Sequence, residues 1–280
     1  MSTTRTAMVI HSPHAGRAGK LSQALTFLCQ AQVELADVLS IAAVDGRLDL
    51  ATRWRERGID IVVAAGGDGL VGGLLPHVTT SGLPLGILRL GTVNDVARSA
   101  EIPQDLQRAA EVIASSTSRT IDLGVAHPVE QGLDPVSGRA EASPAFADIP
   151  FRRPRLFAHA LTVGLNVEFA RLATNPAIRQ QYGRMTYPFA VFEALRTYRP
   201  VEVDLHFKGL AVRATPSSPP TLSQESDCSA AQVTVANAPI FWGPLQATVP
   251  GVCLRDRLLD IVVVEDGCHT VFCVKGACAK

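Results

Sequence analysis

Five glycines, Gly66, Gly67, Gly69, Gly72 and Gly73, fall within eight residues, with Asp68 among them, directly after the apolar run IDIVVAA at 59–65. Glycines that follow a strand let the backbone turn with positive φ and let a large group approach the main chain closely. Phosphate suits such a loop, because the amides there are donors in need of an acceptor. A second polar stretch lies in LPLGILRLGTVNDVARSA at 83–100, where Thr92, Asn94 and Asp95 open a helical pattern. Two readings of it stand: one of these residues caps the helix, or the Thr92 hydroxyl and the helix amides meet a phosphate. A third stretch, SPHAGRAGK, sets Gly16, Gly19 and Lys20 at a helix start. Turn chemistry alone is a poor account of three such loops on one sheet edge.

The elements that must position these loops alternate. TAMVIH reads as a strand, 20–34 as a helix, 38–43 as a weaker strand, 48–57 as a helix and 59–65 as a short β-branched strand. A helix follows the glycines, and PLGILRL is another strand. Such alternation predicts right-handed parallel βαβ units with ligands at the carboxyl ends of the strands. From Arg119 the pattern changes to strand candidates separated by turns (RTIDLGVA, RLFAHALTVGLN, VEVDLHFKG, AQVTVANA, LLDIVVVED), with one helix at Met185–Tyr198. The fold class expected is α/β: an N-terminal parallel-sheet nucleotide-binding domain over 1–125, then a mainly antiparallel β-sandwich-like domain over 126–280. Pro/Gly/Ser-rich loops at 127–154 and 214–230 read as mobile insertions.

The chain has 280 residues, 47% of them hydrophobic, enough for a large core. Lys+Arg and Asp+Glu both number 26, which removes a whole-chain electrostatic case for nucleic acid. No run of eighteen apolar residues and no secretory h-region is evident, so a soluble, cytoplasmic protein is expected. The six cysteines show no CxxC pair, and reduced thiols are the default. Cys268, Cys273 and Cys278 with His269 read either as metal ligands or as ordinary tail residues.

The combination resembles the diacylglycerol kinase catalytic-domain superfamily, which includes bacterial lipid kinases and sphingosine kinases. GGDGL at Gly66–Leu70 looks like its GGDGT loop, LGTVND at Leu90–Asp95 like its LGTxND loop, and SPHAG at Ser12–Gly16 like its NPxxG loop. ALTVGLNVEFAR, YGRMTYPFAVFEAL, VTVANAPIFWG and LRDRLLDIVVV resemble segments of its second domain. The resemblance implies an ATP-dependent lipid kinase. Its nucleotide site would comprise Ser12, Pro13, His14, Ala15, Gly16, Gly66, Gly67, Asp68, Gly69, Leu70, Val71, Gly72, Thr92 and Asn94. Asp68 and Asp95 would be the catalytic pair that organises Mg²⁺–ATP, in keeping with phosphoryl transfer by positioning and charge neutralisation. A second, structural Mg²⁺ would lie at Asp256 with the carbonyls near Cys253 and Leu258; the other reading of Asp256 is a surface turn.

Departures from the family pattern bear on activity. Leu70 stands where many relatives have threonine, Gly72 and Gly73 replace an Asn-Glu pair, Ser12 replaces the asparagine of the first loop, and Arg257 replaces the glycine of DGxLD. The family's DGE-type motif, its favoured source of a general base, is missing before Lys280, and EDG at 265–267 lies too near the DGxLD-like strand to serve. A base is worth about 10²–10⁴-fold, so impaired transfer is expected. The partners implied are ATP and a lipid substrate at a membrane surface, with peripheral attachment; a homodimer stays open. Arg152, Arg153, Arg155, Arg171, Arg179 and Arg184 read either as contacts to anionic headgroups or as solvated loop residues. The rival functions are a non-catalytic nucleotide-binding regulator and an NAD kinase-like enzyme. A Rossmann dehydrogenase is disfavoured by the lack of GxGxxG after the first strand.

Overall fold

The segment RTAMVIH forms β1 (Arg5–His11), and four consecutive residues in it, Ala7, Met8, Val9 and Ile10, are buried. Burial without alternation means that both faces of the strand are covered. The computed structural model describes residues 4–44, 49–115, 117–127, 154–206, 210–211, 225–241, 247–248, 251–265 and 271–277. After β1 come α1 (Leu21–Gln30), β2 (Val33–Ser40), α2 (Leu50–Glu56), β3 (Ile61–Gly66), α3 (Asp68–Ser81), β4 (Leu85–Arg89), α4 (Asp95–Ser99) and α5 (Leu106–Ala114). The four strands form a parallel sheet in the order β2-β1-β3-β4.

Side chains alternate between the two faces of that sheet. Met8, Ile10, Val62 and Ala64 pack with Trp54 of α2 and Leu70, Val71, Leu74, Leu75 and Val78 of α3. Ala7, Val9, Ile61, Val63 and Ala65 pack on the other side with Ala24 and Leu28 of α1 and Ala109, Ala110 and Ile113 of α5. The result is a three-layer α/β/α unit, as the alternation of elements predicts. Helix α1 stops short of the expected residue 34 because Gln32 takes a left-handed φ of 62°, which turns the chain directly into β2. Helix α3 ends at Gly82, whose φ of 67° permits the terminating turn.

The remaining elements are β5 (Gly124–Ala126), β6 (Arg155–Phe157), β7 (Ala160–Gly164), α6 (Leu165–Thr174), α7 (Pro176–Tyr182), α8 (Thr186–Thr197), β8 (Val201–His206), β9 (Leu210–Ala211), β10 (Glu225–Ala236), β11 (Ile240–Phe241), β12 (Ala247–Thr248), β13 (Leu258–Glu265) and β14 (Val271–Ala277). The chain divides into two units, Met1–Ala158 with Ile240–Ala247, and His159–Pro239 with Thr248–Lys280. The second contains an antiparallel sheet in the order β7-β10-β13-β14-β9, with β8 also paired to β10. Ala230, Val233 and Val263 form its buried centre.

Two expectations for this half are corrected. Glu225–Ala230 of the segment read as a loop belongs to β10 and pairs with β8. The apolar run ALTVGLNVEFAR is a strand only as far as Gly164; α6 and α7 follow where no helix was expected. Gly164 makes that switch with φ 97° and ψ −142°, a region that side chains resist. Asn175 then separates the two helices, accepting from the Ala177 and Ile178 amides at 2.9 and 3.3 Å, with Pro176 in the first turn of α7. Residues 128–153 of the first insertion, and Asp266, Gly267, Cys268, His269 and Cys278, lie outside the described residues.

A Cβ at Gly164 would also stand 2.3 Å from the Ala231 carbonyl oxygen, which is fixed in β10. Gly164→Ala is therefore expected to destabilise the second unit by about 2 kcal/mol or more, combining overpacking with dihedral strain; a denaturant titration reads it, and an unchanged midpoint would contradict the assigned geometry.

Candidate functional site

Parallel register aligns the strand ends that carry the three polar loops. His11 lies beside Ala65, and Gly66 beside Arg89. The order β2-β1-β3-β4 sends the chain from β1 to one side of the sheet and from β3 to the other. Between β1 and β3 the connections diverge, and this switch point is where open α/β sheets leave a crevice for ligands.

Backbone hydrogen bonds tie the loops together. Ser12 N–H donates to Ala65 O at 3.3 Å, Arg17 N–H to Leu90 O at 2.9 Å, and the Leu90 and Gly91 amides both donate to Gly66 O at 3.0 Å. The Arg17 guanidinium also donates to the Arg89 carbonyl. A Cβ on Gly91 would lie 2.4 Å from Gly67 Cα, and one on Gly16 would lie 2.6 Å from Thr92 Oγ1. This corrects the reason for the glycines: none of Gly66 to Gly73 has positive φ, and Gly67 is extended at −114°. Gly67 is small because its main chain meets that of Gly91, where an added Cβ would lie 3.0 Å from Gly91 Cα, whereas Gly66 faces the Leu70 side chain.

The polar residues brace the same junction. Both oxygens of Asp68 accept amide protons from the start of α4, Oδ2 from Asp95 N–H at 3.0 Å and Oδ1 from Val96 N–H at 2.9 Å. The first residue of α3 thus caps α4, which has no cap from its own Asn94 side chain. Asn94, buried and left-handed at φ 58°, accepts from Gly91 N–H at 3.0 Å and donates to Gly91 O at 2.7 Å, closing a ring around the loop. Asp95 is buried and pairs with Arg98 at 3.1 Å. Burial, with Arg98 and Arg17 nearby, lowers the Arg89 guanidinium pKa, while Asp68 and Asp95 act in the opposite sense. Three arginines thus surround two aspartates at the end of β4. Sequence reading missed this cluster; its signal is an arginine, Arg89, closing an otherwise apolar strand.

The predicted site residues separate into two groups. Pro13, His14, Gly16, Gly69, Gly72 and Thr92 are exposed at the loops or the first turns of α3, and Ser12, Ala15, Gly67 and Asp68 are half-buried there. Gly69 and Gly72 have open space on the side where a Cβ would stand. Helix α3 has no side-chain cap, so its first amides, those of Asp68 and Gly69, point out of the helix without an intrahelical acceptor. Gly66, buried, supplies the carbonyl that ties in Leu90 and Gly91. Leu70 and Val71 belong elsewhere: their side chains are in the core, and their amides donate to Gly67 O at 3.0 and 3.1 Å. Neither has a group left to offer a ligand.

The second predicted site, in the other unit, is a turn. Asp256 Oδ1 accepts from Leu258 N–H at 3.1 Å, Arg257 is left-handed at φ 57°, and Cys253 is exposed. Among the described residues no three His, Cys, Asp or Glu side chains gather to hold a metal. Kinase Mg²⁺ takes one or two carboxylates, its other ligands being phosphate and water, so the free lone pairs of Asp68 fit such an ion and the ion-paired Asp95 fits it less well. The exposed amides and the Thr92 hydroxyl fit phosphate.

Residues 6–126 match the family described as diacylglycerol kinase catalytic domain, and residues 160–274 match the YegS C-terminal NAD kinase beta sandwich-like domain. The chain is 24% identical to a diacylglycerol kinase of Bacillus subtilis (strain 168) over 267 residues, 92% of this chain and 73% of that protein. It is 31% identical to a diacylglycerol kinase of Staphylococcus aureus (strain JH9) over 123 residues, 42% of this chain and 39% of that one. The crystal structure of a diacylglycerol kinase from Bacillus anthracis str. Sterne shares the fold, with a TM-score of 0.61 and 20% identity, covering 99% of this chain and 85% of that one. The unit that holds the three loops therefore carries a diacylglycerol kinase catalytic domain, and the antiparallel sheet carries a YegS C-terminal NAD kinase beta sandwich-like domain.

Proposed function

We propose that the chain is an ATP-dependent lipid kinase that transfers the γ-phosphate to the hydroxyl of a diacylglycerol-like lipid. The observation that carries this reading is the convergence of three polar strand-end loops at the switch point of a parallel sheet, beside the uncapped start of α3. Bound Mg²⁺–ATP would supply the phosphoryl group and the counter-charge for it. The chain's own part is positioning: the Asp68 and Gly69 amides and the Thr92 hydroxyl orient phosphate oxygens, and Asp68 holds α4 against the loop while turning its remaining lone pairs to the metal. The arginines of the β4 cluster favour an anionic ligand. A second reading, nucleotide binding without transfer, is favoured by one observation: Asp68 and Asp95 are both engaged within the protein.

Incubation with Mg²⁺ and γ-labelled ATP in mixed lipid micelles is expected to move label into the lipid phase; ATP binding by calorimetry without such label would support the second reading instead. Asp68→Asn should lower transfer at least about 10²-fold through misplacement of the loop, and should cost about 1 kcal/mol of stability, because an amide NH₂ would face one of the two α4 amides. Full activity in that variant would remove Asp68 from the site. Thr92→Val should raise the KM for ATP about 10-fold, the worth of one hydrogen bond to a charged group, with Tm unchanged since Thr92 is exposed. An unaltered KM would exclude its hydroxyl.

A further inference from the structure

Helix α8 is apolar on two opposite faces. Its inner face carries Thr186, Ala190 and Ala194, all buried, while Tyr187 lies 6.2 Å from Phe169 of α6 and Phe189 stacks on Tyr182 of α7 at 4.0 Å. At 100° per residue, Met185, just before the helix, and Pro188, Val191, Phe192 and Leu195 share an arc about 120° wide on the opposite side. That arc is exposed: Phe192 is 65%, Met185 61% and Leu195 55% accessible. No charged residue interrupts it: Arg196 lies at its border, paired at 2.6 Å with Glu193 on the inner side of the helix. A surface helix ordinarily turns polar residues to water, so this face has a use.

Charge indicates the occupant. Residues 165–199 contain five arginines, Arg171, Arg179, Arg184, Arg196 and Arg199, against two glutamates, Glu168 and Glu193, in a chain of zero net charge. Both glutamates are held by arginines on their own helices. A second copy apposing the same face would bring two cationic segments together, whereas an anionic bilayer complements the charge and accepts the apolar side chains. No helix among the described residues is long and apolar enough to cross a membrane, so contact through this region would be interfacial.

We propose that the outward face of α8, Met185 to Leu195, is a membrane-docking surface that inserts Phe192 and Leu195 below the headgroups of anionic bilayers. The proposal rests on the lipid-kinase reading for its biological sense, but binding is measured without turnover, so the two fail separately. The test is co-sedimentation of the full chain with phosphatidylcholine vesicles with and without about 30 mol% phosphatidylglycerol. The chain is expected to partition to the anionic vesicles, and Phe192→Ser/Leu195→Ser, which removes only exposed side chains, should weaken that partition at least tenfold with Tm unchanged. Phe192→Trp should report insertion directly, by quenching with brominated acyl chains. Equal partition of the double variant, absence of quenching, or equal binding to neutral vesicles would each overturn the proposal. So would a dimer in sedimentation velocity that the double variant abolishes, because the face would then belong to a second copy of the chain.

Discussion

The carboxylate of Asp68 is the constraint on which the loop geometry rests. It sits at the start of one helix and accepts two amide protons at the start of another, 27 and 28 residues further on. Helix α4 has five residues, too few to be stable alone. A negative charge at its N-terminus both satisfies orphan donors and opposes the helix dipole. Without that tie, the turn from Leu90 to Asn94 would be held by the Asn94 ring and by the paired amides on Gly66 O. The close approach of Gly67 to Gly91 then becomes intelligible: a carboxylate can reach across to α4 only if the two main chains touch, and they touch only if both residues lack Cβ.

The same tie shapes the electrostatics. Two aspartates are concentrated at the end of β4; Asp95 is paired with Arg98, and the charge of Asp68 is stabilised by two helix amides. Arg17, Arg89 and Arg98 against these two carboxylates leave one positive charge in excess. Arg89 is partly desolvated and crowded by like charge, a state that an incoming anion would relieve. The acidic residues therefore build the loop: Asp68 caps α4 and Asp95 pairs with Arg98.

Much of the first unit was legible in the sequence because its strands are short, β-branched and buried on both faces, and its loops fall where the periodicity breaks. Boundaries failed where a single residue took a left-handed conformation: Gln32 ended α1 early, and nothing in its type announced that. The second unit was less legible. Strands β7, β8, β13 and the end of β10 fall on the strands expected, whereas β9, β14 and the start of β10 were not expected; LNVEFARLAT is apolar enough to continue a strand, and only the dihedral angles of Gly164 turn it into α6. At the candidate site, spacing could not show which residues touch. Pattern marked the glycines, Asp68 and Asn94; hydrogen bonding across 27 residues, which no local spacing encodes, made them braces of one another.

Two of the departures from the family pattern can be followed in the main chain and the packing. Arg257 occupies the glycine position of the DGxLD-like turn and still adopts φ 57°, so the turn survives at the cost of strain typical of a side chain in that region. Leu70 stands at the threonine position of GGDGT and has gone into the core, filling the space beside Gly66, where an added Cβ would lie 2.6 Å from Leu70 Cδ2. That substitution ties Gly66 and Leu70 together, since no larger residue fits at 66 while leucine is at 70. It also takes a hydroxyl out of the loop. Thr92, exposed on the neighbouring loop and in reach of Gly16, keeps a hydroxyl at the junction where the strand ends meet, beside that of Ser12 in the first loop.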